Sequence, residues 1–225
     1  MRGFAERAGD LFPVPDGLGL PEAVALHSDG STALGLVERA GIGSGDRVLV
    51  EAAAGGVGSL LTQLALAAGA HVVGAARGPR KLAAIKELGT GAVDYSEPDW
   101  TGRVLEMTGG AGPTVVFDGV GGRIGRAAFA VTARGGRFSV HGASSGDVTD
   151  VTAAEARERG VDLIGIEQLF DFGPHVARWA ARMMDHAAAG TVRPLIGQTF
   201  PLERAADAHA AVENRTAIGK TVILL

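Results

Sequence analysis

The chain has 225 residues and a formal net charge of -4, long enough to bury a full core as one large domain or as one domain plus a fragment. Aromatics make up 5% of it and Lys and Arg are scattered, so there is neither a stacking platform nor a basic stripe, and nucleic-acid binding is excluded. There is no cysteine, which removes disulfides, thiolate catalysis and Cys-ligated zinc and fits a reducing compartment.

At the start, Met1, Arg2, Glu6 and Arg7 put charges where a secretory signal would need an apolar run. No segment offers about twenty uninterrupted apolar residues, so no membrane span is expected and the expected location is cytoplasmic. Pro13, Pro15, Gly17, Gly19 and Pro21 break any repeat, and Pro21 suits the first turn of a short helix over 21–27. A second helix is expected over 31–40, stopping at Gly41. Residues 47–52 read as a buried strand, after which Leu60, Leu61, Leu64, Ala65 and Ala68 recur at helical spacing. Strands over 71–75, 92–95, 114–118, 136–141 and 161–166 follow, and helices over 79–89, 98–108 and 122–132 separate the first of them. Thr152 and Glu155 have the spacing of a capping box, so a short helix ends at Gly160. A long helix over 174–189 leads to a strand–helix–strand tail over 196–200, 202–214 and 221–224. Strands alternating with helices at this spacing imply parallel pairing and right-handed crossovers, hence an α/β fold with a doubly wound parallel sheet.

The informative segment is Glu51-Ala52-Ala53-Ala54-Gly55-Gly56-Val57-Gly58. It follows the first strand of the alternating unit and opens its helix, as a dinucleotide fingerprint of the Rossmann type requires. Backbone N–H groups at a helix N-terminus hold a pyrophosphate only where no side chain intervenes. Gly55 and Gly58 take the second and third glycine roles, while Ala53 occupies the first. The plainer alternative is a packing turn that needs glycine only to seat the helix on the sheet.

The end of the second strand bears on which cofactor is bound. An enzyme for NAD usually places an acid there to accept from the ribose 2′-hydroxyl. Here the strand runs out into Gly74-Ala75-Ala76-Arg77-Gly78-Pro79-Arg80-Lys81, with no acid and three cations. Arg77 suits planar phosphate recognition and Lys81 adds a point charge one helical turn on, which favours NADPH over NADH. A solvated basic helix start is the alternative, and it would be mildly unfavourable against the helix dipole.

Residues 53–65, Gly30-Ser31-Thr32-Ala33, Val93-Asp94-Tyr95, Phe117-Asp118-Gly119-Val120-Gly121-Gly122, Gly135-Gly136-Arg137-Phe138 and the ending Pro201-Leu202-Glu203 with Gly219-Lys220-Thr221 together resemble the medium-chain dehydrogenase/reductase superfamily in its zinc-independent, quinone-oxidoreductase-like branch. The resemblance implies a reduced-nicotinamide hydride donor, NADPH, acting on quinones, enones or other activated C=C bonds. It also implies a homodimer joined through the edge of the Rossmann sheet, here the 161–166 strand. By the same resemblance Thr32 and Val57 lie by the nicotinamide or its ribose and Tyr95 by the adenosine end, while Gly55 and Gly56 belong to the cofactor turn. Val120, Gly142 and Arg215 line the rest of the cleft.

Members of that branch carry about a hundred residues before the point matching this start, as a barrel-like substrate domain. Three regions are therefore expected: 1–24 as a remnant of that domain, with Phe4, Ala5 and Glu6 at its end, 25–190 as the dinucleotide-binding domain, and 191–225 as a segment returning to it. On this view Ile196, Phe200 and Ile218 expose apolar surface that finds a partner. With no cysteine and six dispersed His, no metal is expected.

Three rival readings remain. Gly142-Ala143-Ser144-Ser145-Gly146 matches a hydrolase nucleophile elbow, but residues 147–151 do not continue into a helix. Gly219-Lys220-Thr221 mimics the end of a P-loop yet precedes a strand, and is set aside. The third is a non-catalytic NADPH-binding module or scaffold, since hydride chemistry belongs to the cofactor and the protein supplies only position and walls. No catalytic proton donor is assigned from the sequence.

Overall fold

The computed structural model describes residues 13–225; the readings placed on Met1, Arg2, Phe4, Ala5, Glu6 and Arg7 lie outside the described residues. Six parallel strands form the central sheet: β1 (Arg47–Glu51), β2 (His71–Ala76), β3 (Gly91–Asp94), β4 (Val115–Asp118), β5 (Arg137–Val140) and β6 (Asp162–Ile164). Their order is β3-β2-β1-β4-β5-β6, the doubly wound Rossmann order, with its topological switch between β1 and β4. Helices α1 (Leu20–Ala40), α2 (Gly56–Ala67), α3 (Pro79–Glu87), α4 (Trp100–Met107), α5 (Gly122–Val131), α6 (Ala153–Arg159) and α7 (Val176–Ala188) cover the two faces.

Alternation within the central strands divides the core. Val48, Val50, Val115 and Phe117 face one layer with Leu61, Trp179 and Met183. Leu49 and Val116 face the other with Trp100, Val104, Phe129 and Phe138. Successive side chains point to opposite faces of a strand, so a sheet covered on both sides reads as a continuous apolar run. Fully burying Phe117 or Phe129 contributes about 2–3 kcal/mol each by removal of apolar surface from water.

Two expectations about the helices need correction. The segments 21–27 and 31–40 are one helix, α1, running from Leu20 to Ala40. Gly30, inside that helix, is a contact: a Cβ there would lie 3.1 Å from the Cβ and Cγ of Met183, so its absence lets α1 and α7 approach closely. The helix expected from 174 begins instead at Val176, preceded by 3₁₀ turns over Ile166–His175 that contain Pro174. Proline has no N–H for an α-helical ladder, and a short 3₁₀ connector tolerates that. The capping box is present as expected, with Thr152 Oγ1 accepting from the Glu155 N–H at 3.2 Å.

The tail forms a separate two-stranded parallel sheet, β7 (Ile196–Pro201) and β8 (Lys220–Leu224), with α8 (Ala205–Glu213) between them. It is tied to the glycine turn by the Gly219 N–H, which donates to the Ala54 carbonyl at 2.7 Å. Ile196, Phe200 and Ile218 are half-buried, contrary to expectation. The apolar surface here belongs to Leu202, Val212 and Leu224, at 53%, 54% and 44% exposure. Among the described residues no helix is long and apolar enough to cross a membrane.

Candidate functional site: a cleft at the strand switch point

A cleft of about 720 Å³ opens at the carboxyl ends of the strands. Gly55 follows β1, Arg77 follows β2, Tyr95 follows β3, Val120 follows β4 and Ser144 follows β5, and all five line it. Ligands of open parallel sheets bind in this crevice, because the turns diverge where the strand order reverses.

The inner wall is the turn into α2. Ala52 sits in the left-handed region at φ 49°, which turns the chain sharply out of β1. Gly58 permits the close seating of α2, since a Cβ there would lie 2.3 Å from the Ala52 carbonyl oxygen. The helix has no side-chain N-cap, so the N–H groups of its first turn have no partner within the helix and form a ready anion site. Asp29 of α1 borders the same turn, close enough that a Cβ on Gly56 would overlap its carboxylate. Lys220 pairs with Asp29 at 2.8 Å.

The rim is cationic. Arg77, Lys81 and Arg215 converge on the cleft, and the Lys81 ammonium donates to the Arg215 carbonyl at 2.8 Å. Burial, then the like charges of Arg77 and Arg215, pull the Lys81 pKa below its ordinary value. None of the three makes an ion pair among the described residues. Asp94 is the nearest acid, and its Oδ2 accepts from the Gly78 N–H at 2.8 Å. Against the burial that would raise it, hydrogen bonds from Ser96 and Gly78 and the Arg77 charge hold Asp94 below the usual carboxylate range.

The floor is acidic and closed. Glu51 and Asp118, at the ends of β1 and β4, are both fully buried. Asp118 Oδ1 accepts from the N–H groups of Val120 and Gly121 at 3.2 and 2.7 Å, and its Oδ2 accepts from Thr149 Oγ1 at 2.5 Å. Glu51 Oε2 accepts from the same Val120 N–H at 3.2 Å. Burial first, then the charge and hydrogen bonding of Asp118, push the Glu51 carboxyl well above the usual range. His141, at the end of β5, is pushed down to about 4 by burial despite the charge of Asp118.

Of the residues expected at a cofactor site, Gly55, Arg77, Lys81, Tyr95, Val120 and Arg215 line the cleft. Gly56 and Val57 are half-buried in the first turn of α2, and Thr32 is half-buried in α1. Gly142 packs beneath the 119–122 turn, where a Cβ would lie 2.8 Å from the Gly119 carbonyl oxygen. Reading the sequence missed Asp29 and gave Lys220 no role in the cleft. The two are 191 residues apart, and only the Gly219-Lys220-Thr221 ending pointed towards the second.

The hydrolase alternative lacks its geometry: no helix follows Ser144, the nucleophile position of that motif, until α6. Among the described residues no group of three or more His, Asp or Glu side chains is arranged to hold a metal ion.

This arrangement agrees with known proteins. Residues 56–183 match the family described as zinc-binding dehydrogenase. The quinone oxidoreductase of Pseudomonas aeruginosa is 31% identical over 95% of this chain and 67% of its own length. A structure of an NAD-dependent alcohol dehydrogenase superposes with a TM-score of 0.83 at 33% identity, over 97% of this chain and 62% of that one. A mycobacterial protein solved in complex with NADPH gives a TM-score of 0.85 at 33% identity, over 94% of this chain and 67% of that one. The chain therefore spans about two thirds of the length of these relatives. By motif order, sheet topology and these likenesses, it belongs to the medium-chain dehydrogenase/reductase superfamily, in its quinone-oxidoreductase-like branch.

Proposed function

We propose that this chain binds NADPH across the β1–β4 switch point and serves a zinc-independent transfer of hydride to a quinone, an enone or another activated C=C bond. The observation that carries the reading is the rim: three cations converge with no ion-pair partner among the described residues, and burial, then the like charges of Arg77 and Arg215, depress Lys81. A 2′-phosphate would relieve that repulsion, whereas a bare ribose hydroxyl would not. Relatives include both an NADPH complex and an NAD-dependent enzyme, so the choice rests on this chain's own residues. Gly55 and Gly56 would hold the pyrophosphate at the first turn of α2, with Thr32 and Val57 beside the nicotinamide or its ribose, Tyr95 beside the adenosine end, and Val120, Gly142 and Arg215 along the rest of the cleft. NADPH supplies the hydride; the protein orients it and keeps water out.

In this reading residues 25–190 are the cofactor domain, and 1–24 and 191–225 belong with a substrate domain. The β6 edge joins two copies in the cytoplasm. A non-catalytic NADPH module is the second reading, favoured by Val212, an exposed apolar side chain in the cleft lining.

NADPH oxidation with a simple quinone, followed at the nicotinamide absorbance, separates the two. Turnover above the uncatalysed rate supports the reductase. Tight binding without turnover makes the chain a module, and binding of neither cofactor makes the glycine turn purely architectural.

A further inference from the structure

The floor of the cleft holds a pair of carboxyls that cofactor binding alone does not require. Glu51 is fully buried, and its Oε1 is shielded from solvent and accepts no hydrogen bond among the described residues. The group beside it is not a cation but the Asp118 carboxylate, whose own oxygens already accept from Val120, Gly121 and Thr149. A buried carboxylate with one oxygen left without a donor is disfavoured, and two adjacent buried carboxylates more so. A neutral acid resolves both difficulties, because its O–H donates to the neighbour. The other titratable groups at this end of the sheet are Tyr95 after β3, which feels the Glu51, Asp94, Arg77 and Arg215 charges, and His141 after β5, which feels Asp118.

Both carboxyls converge on one amide. The Val120 N–H is shared between Glu51 Oε2 and Asp118 Oδ1, each at 3.2 Å, and the next N–H, of Gly121, goes to Asp118 at 2.7 Å. The 119–122 turn they hold forms one wall of the cleft through Val120 and Gly122. It also anchors the loop after β5, because the Ser145 N–H donates to the Val120 carbonyl at 2.8 Å. Gly121 sits at φ 74°, and a Cβ there would meet the Asp147 carbonyl oxygen at 2.1 Å, so the turn packs closely against the loop after β5.

We propose that a proton bridges Glu51 and Asp118, and that this bridged pair is the positioning element for the 119–122 turn and thereby for cofactor affinity. The second clause rests on the NADPH reading above; the first does not.

Infrared spectroscopy at neutral pH on the native chain, Glu51→Gln and Glu51→Leu tests the bridge. The native chain shows the carbonyl band of a buried neutral carboxylic acid, and both variants lose it. A native spectrum without that band, or a band that survives Glu51→Gln, overturns the proposal. Hydrogen exchange at the Val120 and Gly121 amides reads the positioning. Protection is kept in Glu51→Gln and falls roughly tenfold in Glu51→Leu, which leaves the shared amide short of an acceptor. NADPH affinity follows the same order, with a roughly tenfold loss confined to the Leu variant.

The stability profile adds a readout that packing alone would not move. Glu51 is raised in the folded chain, so the stability it contributes is fully present below its unfolded value of 4.5 and is lost as pH rises through its folded value. Glu51→Gln should therefore gain on the native chain as pH rises, and a constant difference between them contradicts the bridge. If the native chain binds no NADPH while band and protection behave as stated, the functional reading fails and the bridge stands. If native and Leu chains bind NADPH equally with equal protection, the functional reading stands and the positioning role is overturned.

Discussion

The rim and the floor of the same cleft handle charge in opposite ways. At the rim Arg77, Lys81 and Arg215 stand together near water and make no ion pair among the described residues. At the floor Glu51 and Asp118 are sealed from water and satisfied within the chain, by backbone N–H groups, a threonine hydroxyl and a proton. Screening keeps the cost of the exposed cluster modest, so it can persist without a partner until an anion arrives. Burial leaves the acids no such latitude, and every charge there must be neutralised or paired in the fold itself. On the proposed function the rim is where ligand identity is chosen, and on the proposed bridge the floor is where the wall of the cleft is held.

The largest expected effect breaks the rim. Arg77→Asp removes a cation and supplies an acid where a ribose hydroxyl would donate. The NADPH-to-NADH affinity ratio should shift by roughly 100- to 1,000-fold, equivalent to about 3–4 kcal/mol. Unchanged NADPH affinity in that variant, measured by fluorescence titration, would remove the rim from the account.

The next effect sharpens the floor. His141 is held neutral, with a folded value of about 4 against an ordinary 6.5. Its contribution is present above the unfolded value and is lost as pH falls through the folded one. That costs on the order of 3 kcal/mol between pH 6.5 and 4. Urea unfolding of native chain and His141→Phe at both ends of that window should give similar stability at neutral pH and a more stable variant in acid. Parallel losses in the two chains would mean that His141 is not the group responsible.

The smallest effect concerns the hinge between rim and floor. Ala52 occupies the left-handed region at φ 49°, which costs a residue with a Cβ about 1–2 kcal/mol. Ala52→Gly relieves that strain but adds freedom to the unfolded chain, for a net gain of about 0.5 kcal/mol. A lower unfolding midpoint in the glycine variant would show that the turn is not strained.

The sheet was legible because each strand is a continuous apolar run bounded by turn residues, and the glycine turn because chemistry there depends on adjacent residues. The rim was half legible: Arg77 and Lys81 are neighbours in sequence, while Arg215 came only through family resemblance. The floor was not legible at all. Glu51 and Val120 are 69 residues apart, and only the parallel register of β1 and β4, with Val50 opposite Phe117, brings Glu51 and Asp118 together. The single helix α1 was read as two for a related reason: the absent side chain of Gly30 admits Met183 of a helix about 150 residues later in the chain.

On the proposed function the cationic rim selects the phosphorylated cofactor. Titration calorimetry of the native chain with NADPH and with NADH, at one pH and one salt concentration, reads that selection. NADPH should bind at least roughly tenfold tighter, as one or more charge-assisted hydrogen bonds to a phosphate would give. Equal affinities, or a preference for NADH, would contradict it.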